Sequence, residues 1–156
     1  MKVIYLAGGC FWGVQDSFLQ TKGVLSTESG YANSKVPNPT YKQVCTGKTG
    51  ASETVKIEYD EKLIGLTEIL KLFFMMIDPT TLNSQGPDYG TQYRSGIYYV
   101  EQSEASIIQL FVSEMQKEFT SKIVTEVLPL ENYYPAEEYH QKYFQKNKIA
   151  NTCHMK

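Results

Sequence analysis

Val3-Ile4-Tyr5-Leu6-Ala7-Gly8-Gly9-Cys10-Phe11-Trp12-Gly13 passes from an apolar run through two glycines into a segment of helical spacing. The run is short and starts almost at Met1, so it predicts a buried strand entering a tight turn. Phe11, Val14, Phe18 and Leu19 then recur at the period of a helix, which Lys22-Gly23 closes with a basic last turn and a C-cap glycine. Cys10 therefore stands where a strand stops and a helix starts. Unpaired backbone N–H groups and the positive helix end favour a thiolate at such a position, and the glycines leave room for a substrate to approach. Across cysteines in general a small buried hydrophobe is the more common role, and it is the position at a helix start that favours the reactive reading here.

The remaining elements follow from that first strand and helix. Residues 24–31 form a second strand, 33–40 a loop rich in Asn and Pro, and 41–45 a short helical turn. From 52 to 60 the alternation is strict: Val55, Ile57 and Tyr59 share one face, while Thr54, Lys56, Glu58 and Asp60 share the other. Thr67 is positioned to cap a helix carrying Ile69, Leu70, Phe73, Phe74 and Ile77, which Asp78-Pro79 ends. A long loop over 79–94, a strand over 97–100, a helix over 103–120 and a strand over 123–128 complete the pattern. This order predicts an α+β two-layer sandwich with a split β-α-β, ferredoxin-like core and an additional C-terminal helix and coil. It also predicts a single domain over residues 1–156, with 145–156 a mobile C-terminal tail.

At 156 residues, 42% hydrophobic and 21% charged, the chain can bury about two-thirds of its unfolded surface, which excludes intrinsic disorder. Fifteen Lys and Arg against seventeen Asp and Glu give a net charge of -2, with no broad positive field for nucleic acid. The longest apolar stretch, 72–77, is far below the ~20 residues a bilayer needs, so neither a membrane span nor a secretory leader is expected. Three cysteines, at 10, 45 and 153, make no C-x-x-C pair, which fits a reducing cytoplasm better than a disulfide framework.

Other residues invite chemistry with alternatives open. Glu53 has the apolar parity of its strand, so it is either a paired or neutral buried acid or a strand-end residue bending to water. Asp88 and Tyr93 lie in a glycine-rich loop that either builds a site or is a structural Ω-loop. Of Phe11 and Trp12, one is expected in the core and the other as an apolar wall beside the sulfur. Gly8, Cys10 and Gly13 mimic a dinucleotide fingerprint, but the middle glycine that admits a pyrophosphate is missing. His140 reads as packing or capping, Cys45 as structural core, and no Cys/His spacing suits zinc.

Gly9-Cys10-Phe11-Trp12-Gly13 resembles the signature of the A-type peptide methionine-(S)-sulfoxide reductases. Gly30-Tyr31, Asn38-Pro39-Thr40-Tyr41 with Val44-Cys45, Thr49-Gly50, Glu53, Asp78-Pro79, the segments 85–95 and 133–140 resemble family motifs in the same succession, from residue 4 to about 144. The resemblance implies that Cys10 attacks the sulfoxide sulfur, that Glu53 protonates its oxygen, and that Tyr41 and Tyr93 hydrogen-bond that oxygen. Phe11 and Trp12 would hold the S-methyl group, and Asp88 would orient the substrate's polar part or the loop around it. Free or protein-bound methionine sulfoxide would be the substrate, with a sulfenic acid on Cys10 as intermediate and no cofactor or metal. Cys153, near the chain end, is favoured over Cys45 as the resolving thiol, and thioredoxin or a similar dithiol protein would reduce the disulfide. Departures from relatives are Ala51-Ser52 in place of His-Ala, Ile77 in place of His, and the lack of a glycine-rich two-cysteine tail. They bear on regeneration rather than on the first chemical step. A thiol peroxidase, or a non-catalytic module for methyl-bearing side chains, remains the alternative.

Overall fold

The computed structural model describes residues 1–148. In chain order it contains β1 (Lys2–Ala7), α1 (Phe11–Leu19), β2 (Val24–Ala32), α2 (Tyr41–Cys45), β3 (Ser52–Tyr59) and α3 (Leu66–Met76). These are followed by β4 (Ser84–Gln85), β5 (Asp88–Tyr89), β6 (Gly96–Tyr99), α4 (Glu104–Met115), β7 (Glu126–Pro129), β8 (Tyr133–Pro135) and α5 (Tyr143–Lys146). The result is a mixed α/β single domain around a central mixed sheet of order β7-β6-β1-β3-β2-β8. Every neighbouring pair is antiparallel except β6 and β7, which run parallel.

The period-2 pattern sets which face each residue takes. Ile4 pairs with Ile57 and Leu6 with Val55, so these side chains meet on the face that α1, α3 and α4 cover. Phe18, Ile69, Leu70, Phe73, Ile97 and Ile108 close that core. On the opposite face Tyr5, Ala7, Ala32 and Tyr98 form a smaller cluster under Leu130 and Tyr133.

The β1–α1 turn depends on its glycines. Gly9 has φ 79, a left-handed conformation that costs other residues strain. A Cβ on Gly8 would lie 2.6 Å from Ile77 Cγ2 and 2.7 Å from Phe73. Ile77 is thus core packing beneath the turn, only 3% exposed. Ser52 donates or accepts at 3.1 Å from the Tyr98 hydroxyl, which gives its buried Oγ a partner.

Several boundaries differ from the sequence reading. Gly65, not Thr67, is the N-cap of α3, because Leu66 already has a buried face to pack and the helix starts before the threonine. The helix expected over 103–120 ends at Met115 and tightens into a 3-10 turn, Gln116–Glu118. The loop over 79–94 contains the β4–β5 hairpin and a 3-10 turn, Thr91–Tyr93. Strand β8 has no sequence signal: three residues pair with β2 and carry the chain back over the site. Cys153 lies outside the described residues, as does most of the expected tail.

Candidate active site

Cys10 is the N-cap of α1, with φ -61 and ψ 120, and is partly exposed. It stands at the position the Gly-Gly turn predicts, before the first-turn N–H groups of a nine-residue helix. One of those donors has a specific partner: the Phe11 N–H donates to Glu53 Oε1 at 3.2 Å. Glu53 is 1% exposed on the helix-covered face of β3, opposite Tyr31 in register. Of the two readings open for Glu53, burial is the one observed. Its carboxyl group lies one peptide from the cysteine, although 42 residues separate the bonded pair.

Tyr41 begins α2, which the reciprocal Thr40–Gln43 capping box holds in place. Its hydroxyl interacts with the Cys45 thiol and with Tyr93, and it feels the Glu53 charge. Burial, then the Cys45 contact and Glu53, pushes the Tyr41 hydroxyl far above its ordinary value. Burial, then Glu53 and Asp88, does the same for Tyr93. Both phenols therefore stay protonated at neutral pH and are hydrogen-bond donors. Asp88, at the start of β5, supplies a negative charge beside Tyr93.

Phe11 is the core member of its pair at 1% exposure, and Trp12 is the half-buried wall. Trp12 Nε1 donates to His140 Nδ1 at 2.9 Å, and its indole stacks on Tyr143 at 3.6 Å with an interplanar angle of 5°. Accepting at Nδ1 places the His140 proton on Nε2 in the neutral ring. Burial holds the His140 pKa below its usual value, against the opposing charge of Glu137. The imidazole packs among Phe11, Tyr41 and Tyr139 at 5.2, 4.4 and 4.1 Å between centroids.

The structure thus brings Cys10, Phe11, Trp12, Glu53, Tyr41, Tyr93 and Asp88 into one neighbourhood. Cys45 is exposed rather than part of the core expected for it, because Val44 takes the buried side of a five-residue helix and the next position turns outward. Two supporting residues escape the sequence reading. Arg94 donates to Glu126 at 2.6 Å, to Gly50 O at 2.8 Å and to Thr91 O at 2.8 Å, tying the Tyr93 turn to the approach of β3. Glu137 accepts from the Tyr31 hydroxyl at 2.8 Å and from the Tyr41 N–H at 3.0 Å. The only sequence hint of Glu137 is its place in the 133–140 segment. Among the described residues, no group of three or more His, Cys, Asp or Glu side chains could hold a metal ion, and no helix is long and apolar enough to cross a membrane.

Comparison with known proteins agrees with this geometry. A family model described as peptide methionine sulfoxide reductase matches residues 2–156. The peptide methionine sulfoxide reductase MsrA of Clostridium perfringens (strain SM101 / Type A) is 55% identical over 156 residues, covering 100% of this chain and 99% of that protein. Mxr1 from Saccharomyces cerevisiae in reduced form superposes with a TM-score of 0.92 at 39% identity, over 97% of this chain and 88% of that one. Mxr1 in complex with Trx2 superposes with a TM-score of 0.66 at 26% identity, over 91% and 84%. The conformation described here is thus nearer to the reduced form than to the Trx2-bound form.

Proposed function

The chain belongs to the peptide methionine sulfoxide reductase family, and from that membership we propose how its own side chains divide the reaction. It reduces methionine sulfoxide to methionine and is recycled by a thioredoxin-type dithiol protein. The observation that carries the assignment of roles is the 3.2 Å bond from the Phe11 N–H to Glu53, which sets an acid beside Cys10 at a helix start.

In this reading the Cys10 thiolate, favoured by the α1 N-terminus, attacks the sulfoxide sulfur. Glu53, buried beside Cys10, gives a proton to the sulfoxide oxygen as charge develops there. Tyr41 and Tyr93 donate hydrogen bonds to the same oxygen and lower the barrier electrostatically. The oxygen ends on Cys10 as a sulfenic acid and the thioether departs, so two electrons have moved from the cysteine sulfur to the methionine sulfur. Phe11 and Trp12 wall the S-methyl group, which selects the S epimer by leaving the oxygen only the side facing Glu53. Asp88 orients the polar part of the substrate. Cys153 then attacks the sulfenic acid, water leaves, and the disulfide is reduced by the dithiol partner.

The order β6-β1-β3-β2, with α1 and α3 as crossovers on one face, supports placing the core in the split β-α-β, ferredoxin-like class. We assign residues 1–156 to one catalytic domain working in the cytoplasm, where a dithiol reductant is at hand. The test is incubation with dithiothreitol and each sulfoxide epimer. Turnover of the S epimer alone is expected, and turnover of neither epimer would overturn the reading.

A further inference from the structure

We infer that Glu137 is a positioning residue for Tyr41, holding the first residue of α2 against the floor of the site. The inference rests on the reading of Tyr41 as a donor to the substrate oxygen.

Glu137 precedes the 3-10 turn Glu138–His140 and is reached only after the chain has crossed the sheet edge as β8. Its carboxylate links two elements. Oε1 accepts from the hydroxyl of Tyr31, a fully buried β2 residue that faces Glu53 in register and packs on Phe11 at 5.7 Å. Oε2 accepts from the backbone N–H of Tyr41. A five-residue helix has little stability of its own, and its first-turn donors need partners. Thr40 and Gln43 satisfy each other's backbone N–H groups, which leaves the Tyr41 N–H to Glu137. The turn after Glu137 then lays His140 against the Tyr41 ring at 4.4 Å. The phenol is therefore fixed from both ends by one short segment, and the fixed point is tied to the residues beside Glu53. Burial alone would push the Glu137 carboxyl up, but the N–H and hydroxyl bonds outweigh it and keep the group ionised.

The chemistry of the two bonds separates position from charge. The substitution Glu137→Gln preserves the geometry: the new amide carbonyl can accept from the Tyr41 N–H while its NH₂ donates to the Tyr31 oxygen, so both links survive without the charge. Glu137→Leu loses both, and Glu137→Asp is one methylene too short to hold both. Misplacing a reacting group by a fraction of its hydrogen-bond distance costs on the order of tenfold in rate.

The experiment measures single-turnover reduction of the S sulfoxide by wild type, Glu137→Gln, Glu137→Leu, Tyr41→Phe and the Tyr41→Phe/Glu137→Leu double variant. Glu137→Asp takes the place of Glu137→Leu should the latter fail to fold. Glu137→Leu is expected about tenfold slow in the saturating single-turnover rate, with the half-saturating sulfoxide concentration little changed, and Glu137→Gln within about threefold of wild type. In the Tyr41→Phe background the Leu substitution should add less than about twofold, because the group it positions is already gone. A full tenfold loss in that background, or Glu137→Gln as slow as Glu137→Leu, would overturn the positioning role while leaving Tyr41 in place. A Tyr41→Phe enzyme as fast as wild type would instead overturn the role of Tyr41 itself, and this inference with it.

Discussion

Replacing Glu53 by Gln tests the proposed proton donor with little disturbance to the fold. Gln keeps a carbonyl oxygen for the Phe11 N–H that Glu53 Oε1 accepts at 3.2 Å, and it keeps the shape of a side chain only 1% exposed. Exchanging an acid for an amide there should cost about 1 kcal/mol of stability. The rate should suffer far more, since an amide has no acidic proton to deliver. A positioned general acid contributes about 10²–10⁴-fold, or about 2.7–5.4 kcal/mol of barrier. Tyr41 and Tyr93 remain as protonated donors beside the same oxygen, so the lower end, about 10²-fold, is expected. Quenched single-turnover assays on the S sulfoxide give the rate, and thermal melts of the same samples give the stability. A Glu53→Gln enzyme within about threefold of wild type, with an unchanged melt, would refute the assignment.

Three further outcomes follow from the same geometry. Trp12→Phe keeps an aromatic ring against Tyr143 but removes the donor to His140 Nδ1, leaving a buried acceptor unpaired, and should lower stability in urea by about 1–3 kcal/mol. His140 is held below its usual pKa of 6.5 by burial, so below pH 6.5 the unfolded chain binds a proton that the native ring resists. Native stability should therefore fall as pH drops from 6.5 towards the depressed folded value; melts from pH 8 to pH 5 should show this slope in wild type and lose it in His140→Gln. The lowered pKa of Glu137 acts in a separate window, adding stability that is lost only as pH falls below about 4.5. Cys153→Ser should complete one turnover and then fail to be recycled by a dithiol protein; a Cys10–Cys45 disulfide in the oxidised wild type, with Cys153 reduced, would reassign the resolving thiol.

Local features are legible in the sequence where local physics decides them. The Gly8-Gly9 turn and the start of α1 at Phe11 follow from spacing within a few residues, whereas the parity of Glu53 leaves burial and exposure both open until β2 and α1 are packed over it. Thr67 misleads as a cap because a cap signal inside the first turn competes with the pull of Leu66 into the core. Cys45 misleads because in so short a helix adjacent residues diverge by about 100°, and Val44 alone takes the inner side. What stays hidden is the long-range wiring. Nothing near residue 12 announces a bond to residue 140, and nothing near residue 41 announces one to residue 137. Those links depend on β8, three residues that pair only because β2 offers an open edge.

On the proposed mechanism the Cys10 sulfur is the atom that takes oxygen from the substrate. Protein is mixed with excess S sulfoxide in the absence of any reductant, and methionine formed and Cys10 oxidised are counted in the same sample by mass spectrometry. The predicted result is one Cys10 oxidised for each methionine released in the first turnover, with no methionine from Cys10→Ser. Methionine released by the Cys10→Ser variant, or released by wild type while Cys10 stays a thiol, would contradict it.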